Sequence, residues 1–76
     1  MEINEFVKNF ACQFDETDAG VFAPTTEFKE LDEWSSLIAL SLIAMVDEEY
    51  DVTLKGEDIK NAKTIEDLFK VVEAKA

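Results

Sequence analysis

The chain has no histidine, no arginine, one cysteine, one proline and two glycines among its 76 residues. Each shortage closes a class of function. Without histidine, the commonest general base and metal ligand is missing, and a Ser–His–Asp triad cannot be assembled. A lone Cys12 makes neither an internal disulfide nor a thiolate cluster, and it suits a reducing compartment. Gly20 and Gly56 are too few for a phosphate-cradling loop. The longest nearly unbroken apolar run, LIALSLIAMV, covers ten residues, about half of what a membrane crossing requires. The N-terminal MEINEF carries acids where a signal peptide carries basic and then apolar residues. A cytoplasmic protein with no membrane insertion is expected, and a chain of this length beginning with methionine is expected to work alone, as a monomer.

Basic charge is scarce too. Eighteen acids stand against seven lysines, for a net charge of −11. Such a surface repels phosphate backbones and anionic membranes, which excludes nucleic acid as a partner. It attracts basic protein patches by salt-screened steering, although a large net charge also serves solubility alone. Asp47, Glu49 and Asp51 alternate as calcium ligands do. A calcium loop counted from Asp47 needs glycine sixth and glutamate twelfth, where this chain has Val52 and Asp58, so no metal site is expected. Paired carboxylates arise by chance among so many acids, and a hydrolase needs a cleft that this length barely permits. An enzyme acting alone is not expected.

What is present points to helices. Hydrophobic residues make up 47% of the chain, and few breakers interrupt them, so residues 1–76 are expected to form one all-α domain. Ile3, Phe6, Val7, Phe10 and Phe14 recur at helical spacing and predict an amphipathic helix over residues 2–15. Cys12 falls about 180° from the centre of that stripe, which makes it a bystander thiol. Residues 16–34, with Asp18, Gly20 and Pro24, read as a long connection pinned by Phe22, Phe28, Leu31 and Trp34, with one helical turn near residues 25–31. From Ser35 to Tyr50 apolar residues point in nearly every direction. A helix of this kind is either central or keeps one side for a partner. Its end carries Asp47, Glu48 and Glu49, where the macrodipole disfavours acids, so these are either recognition residues or a solvated end. Residues 51–56 read as loop and 57–61 as a short turn with Ile59 inward. Thr64 then caps a helix whose stripe is Ile65, Leu68, Phe69 and Val72, with Asp67 completing a capping box. The expected architecture is a small four-helix bundle of three main helices plus a short third.

Two serines open the apolar helix. Ser35 suits the N-cap, where its oxygen can accept from free backbone N–H groups. Ser36 then becomes the first helical residue, with a hydroxyl free to face solvent beside the positive end of the macrodipole, where a phosphate ester is favoured. On the residues alone, the ordinary reading leads, in which a serine here is simply a helix-start residue.

The stretch FKELDEWSSLIALSLIAMVDEEYDV resembles the central segment of acyl carrier proteins. Phe28 and Leu31 supply an F-x-x-L lead-in, an aromatic precedes the serine pair, and the acidic DEEYD ends the helix. The resemblance extends over essentially the whole chain. It implies a 4′-phosphopantetheine arm on Ser36, supplied from coenzyme A by a phosphopantetheinyl transferase, with the arm's thiol and not Cys12 carrying an acyl group. It further implies acyl-loading, acyl-transfer or synthase partners with basic and apolar docking patches, and an apolar cleft between helices as shelter for the cargo. Leu37 matches the family's residue after the serine, and Leu40, Ala44, Asp47 and Glu48 match positions that partners touch. Ser35 stands where the family usually has aspartate, and Ile38 and Ser41 replace acids on the docking face. A greasier docking surface is expected, suited to a dedicated partner, with Ile38 as the residue that sets its character. An aminoacyl or peptidyl carrier, and an arm-less acidic interaction module, are the alternatives.

Overall fold

Six phenylalanines, one tryptophan and one tyrosine form a single connected network of rings, and the helices are arranged around it. The computed structural model describes residues 2–76. Helix α1 spans Ile3–Ala11, α2 Ser36–Tyr50, α3 Gly56–Asn61 and α4 Ile65–Lys75, and no strand occurs among the described residues. The protein is thus all-α, with three main helices and a short third. Helix α1 packs against α2 and α4, and α3 packs against α4.

Phe6 and Phe10 of α1 are fully buried. Phe6 meets Tyr50 at the end of α2 and Phe69 of α4, at centroid distances of 5.8 and 5.4 Å. Phe10 meets Phe28 at 5.2 Å, Phe14 at 5.6 Å and Phe22 at 6.2 Å. Trp34 closes the chain of rings against Phe28 at 5.1 Å and Phe14 at 6.4 Å. These separations suit the offset and edge-to-face contacts that aromatic quadrupoles favour. These rings pack the core between α1, α2, α4 and the long connection.

Helix α1 ends at Ala11, short of the expected residue 15. Gln13 and Phe14 donate to carbonyls three residues back, in a tightened last turn. The N–H groups of Asp15, Glu16 and Thr17 go instead to the Glu33 carboxylate. A distant acceptor therefore terminates the helix. The connection that follows is more ordered than its composition suggests. A 3₁₀ turn forms at Phe28–Glu30, inside the expected range, and an unanticipated one at Ala19–Val21 begins where the Asp18 side chain accepts from Gly20 N–H at 3.0 Å. Midway along, the connection is tied to α4, where Ile65 and Glu66 donate to the carbonyls of Thr26 and Pro24.

Asp51, with φ of 55°, closes α2 in the left-handed region, which aspartate tolerates better than most residues. Val52 and Leu54 then point inward from an extended connector, each 2% exposed. The Asp58 carboxylate accepts from Lys55 N–H at 3.0 Å and pairs with Lys75 at 3.0 Å. Thr64 and Asp67 form the expected reciprocal cap on α4.

Phe10 touches four other rings, so its truncation removes a hub. Phe10→Ala is expected to cost about 3–5 kcal/mol, a large share of the stability of so small a domain, and Phe10→Leu distinctly less. Urea unfolding followed by circular dichroism checks this, and an alanine variant with the wild-type midpoint would remove Phe10 from that role.

Candidate functional site

The start of α2 is held from both sides. Ser35 is extended, with φ −157° and ψ 171°, and its hydroxyl accepts from Ile38 N–H at 3.4 Å while its carbonyl accepts from Ala39 N–H at 3.0 Å. It is the N-cap. Ser36 is the first helical residue and is exposed. Among the described residues no side-chain hydrogen bond engages its hydroxyl. Immediately before the pair, Trp34 is locked by its ring contacts with Phe28 and Phe14. One residue earlier, Glu33 accepts from Asp15 N–H at 2.7 Å, Glu16 N–H at 3.0 Å, and both the N–H and hydroxyl of Thr17 at 2.8 Å.

Partial desolvation pushes the Glu33 carboxyl up. The Thr17 hydroxyl and the N–H groups of Asp15, Glu16 and Thr17 outweigh it and hold the group below the ordinary glutamate range. A carboxyl lowered in the folded state contributes stability above its unfolded value. That contribution is lost as pH falls through the lowered folded value. The clamp is therefore intact at neutral pH and released by acid.

Helix α2 is central on one side and exposed on the other. Leu42, Met45 and Val46 are buried, whereas Leu37 is 76% and Leu40 62% exposed. Leu37, Leu40, Ser41, Ala44 and Glu48 follow at helical spacing along one side, and all are exposed. Asp47 is exposed beside them, and no basic residue occupies the last turn. Ile38 differs. It is half-buried and packs against the core, so Leu37 and Leu40 make the apolar part of this face and Ile38 supports it from beneath. Cys12 is exposed and lines an open cleft between α1 and α2 with Ser41, Ala44 and Glu48.

Two features escape sequence reasoning. Val21, 46% exposed, belongs to a turn marked in sequence only by the Asp18–Gly20 pair. Glu33 is one acid among eighteen, and its partners lie 16 to 18 residues away, so no local pattern singles it out.

Ser35→Ala is expected to lose about 1 kcal/mol with the cap. Ser35→Asp keeps the acceptor, adds a favourable charge at the helix start, and is expected to gain about 0.3–1 kcal/mol at low salt. Leu37→Asp is expected to be close to neutral, whereas Ile38→Asp should cost about 1–3 kcal/mol by setting a charge against the core. Denaturant midpoints at two salt concentrations check all four. Equal effects of Leu37→Asp and Ile38→Asp would contradict this division of the face.

The family model described as phosphopantetheine attachment site matches residues 5–72, from α1 into α4 and across both serines. No curated protein and no solved structure matched the chain. The match covers most of the molecule and displaces the arm-less reading. The chain belongs to the phosphopantetheine attachment site family: it is a non-catalytic carrier protein domain whose cofactor is a covalent 4′-phosphopantetheine, served by a phosphopantetheinyl transferase and by partner enzymes.

Proposed function

We propose that Ser36 is the residue bearing the arm and that the protein carries acyl intermediates as thioesters in fatty-acid, polyketide or related biosynthesis. The observation that carries this reading is the division of labour between the serines. Ser35 takes the capping duty and leaves the Ser36 hydroxyl exposed and free. The N–H groups of Ser36 and Leu37 lie in the first turn, where a helix leaves donors unpaired, and the positive end of the macrodipole suits an attached phosphate. When bound, the arm supplies a terminal thiol for thioester carriage. The chain's own residues hold the arm's root on a rigid helix start and display a surface by which partners recognise it.

That surface is the outer side of α2. Leu37 and Leu40, with Ser41 and Ala44, present an uncharged, partly apolar area next to Ser36, flanked by Ser35 and underlain by Ile38. Asp47 and Glu48 add negative charge at the far end. The matching partner has an apolar depression near the arm and basic residues further along. The reading extends to a single domain working as a monomer in the cytoplasm, supported by one continuous ring network and by a lone cysteine suited to a reducing compartment.

The apolar Leu37–Leu40 pair also supports a second reading, an aminoacyl or peptidyl carrier with the same arm. Intact mass after incubation with coenzyme A and a broad-specificity phosphopantetheinyl transferase tests the site. Wild type and Ser35→Ala are expected to gain one phosphopantetheine, and Ser36→Ala none. Equal gain by Ser36→Ala would overturn the site, and no gain by wild type would overturn the function. Offering the modified protein to fatty-acyl and amino-acyl loading enzymes separates the two cargo classes.

A further inference from the structure

The connection after α1 and the lead-in to α2 meet at a cleft of 390 Å³ lined by Glu16, Thr17, Val21, Leu31, Asp32 and Glu33. Four hydrogen bonds converge there on one carboxylate, at 2.7 to 3.0 Å, from residues 16 to 18 positions earlier in the chain. Three successive backbone N–H groups aimed at one anion form a concave donor set, and charge-assisted bonds of this kind are stronger than neutral ones. Glu33 lies three residues before Ser36. Between them stand Trp34, fixed by rings on both sides, and the cap Ser35. A movement of the Asp15–Thr17 backbone is therefore transmitted to the start of α2 through a short, fully braced segment.

Val21, exposed on the first loop, lines the same cleft as Glu33, and Leu37 and Leu40 are exposed near the start of α2.

We infer that Glu33 is a positioning residue for arm attachment: by binding the Asp15–Thr17 backbone it holds the first loop and the Ser36 end of α2 in one arrangement that the transferase recognises. This rests on the reading of Ser36 as the attachment residue. Without the clamp, only a fraction of molecules presents the competent arrangement, and apparent affinity falls by that fraction while turnover at saturation is unchanged.

The test is steady-state transfer from coenzyme A by a broad-specificity phosphopantetheinyl transferase, with carrier concentration varied well below the melting temperature. Glu33→Ala is expected to raise KM by about 3–10-fold with kcat unchanged. Glu33→Gln, which keeps one carbonyl oxygen for Thr17 and Glu16, should give a smaller rise. Val72→Ala, a core truncation in α4, should lower thermal stability without moving KM. In the apo protein, Glu33→Ala should speed amide exchange at both Asp15–Thr17 and Ser35–Ile38. A modified wild type with unchanged KM for Glu33→Ala would overturn the role of Glu33 alone, as would faster exchange confined to Asp15–Thr17 or a KM rise reproduced by Val72→Ala. Failure of wild type to accept the arm would instead overturn the Ser36 reading on which the inference stands.

Discussion

The aromatic network is the constraint on which everything else in this protein depends. A domain of this size buries a smaller fraction of its surface than a large one and is correspondingly marginal. Large rings compensate, because each buries far more area than an aliphatic side chain. Here four of the eight, Phe14, Phe22, Phe28 and Trp34, lie between α1 and α2. The long connection is thus part of the core and not a flexible tether. The last of those rings precedes Ser35 by a single residue, so core packing itself sets where the functional helix begins.

Two groups of acids contrast in what the structure does with them. Glu33, Asp58 and Asp67 accept backbone N–H groups and are held below the usual carboxylate range. For Glu33, desolvation is the largest single influence and pushes the group up, but the four hydrogen bonds together outweigh it. For Asp58 the leading cause is the Lys55 N–H, followed by the Lys75 ammonium. For Asp67 the N–H groups of Thr64 and Lys63 lead. These groups stop helices, cap them and fasten loops. Asp47, Glu48 and Glu49 are exposed where the macrodipole opposes them. Nothing in the local structure rewards that placement, which is consistent with the proposed recognition role of Asp47 and Glu48.

Features whose causes are local were legible in the sequence. The stripe of α1, the Thr64–Asp67 cap and the Ser35 cap each depend on residues within a turn of one another, and helical spacing reveals them. The end of α1 was not legible, because its cause is a carboxylate at residue 33. Nor was the exposed face of α2. A helix that is apolar all round has no directional signal, so sequence alone could not tell that Leu37 and Leu40 face out while Ile38 leans on the core. Ile38 stood out as a departure from the family pattern, but its replacement of an acid also supplies packing. The exposed apolar part of this face is supplied by Leu37 and Leu40, which match the family pattern.

The placement of charge along α2 separates two aspects of recognition. From Ser36 to Asp47 the helix rises about 16 Å, farther than the screening length of about 8 Å at physiological ionic strength. On the proposed reading, the acids at the far end steer a basic partner during approach and contribute little to contacts at the serine. Around Ser36, the outward side chains Ser35, Leu37, Leu40, Ser41 and Ala44 carry no charge, so fit there is governed by shape and apolar contact, which salt weakens little. In the family pattern an acid before the attachment serine and acids on the adjoining turns extend the charged surface up to the arm. This chain lacks that charge on the side chains around Ser36 and retains it further along α2. On the proposed reading, encounter with basic partners is thereby kept general, and discrimination among them is moved to an apolar contact that few surfaces match.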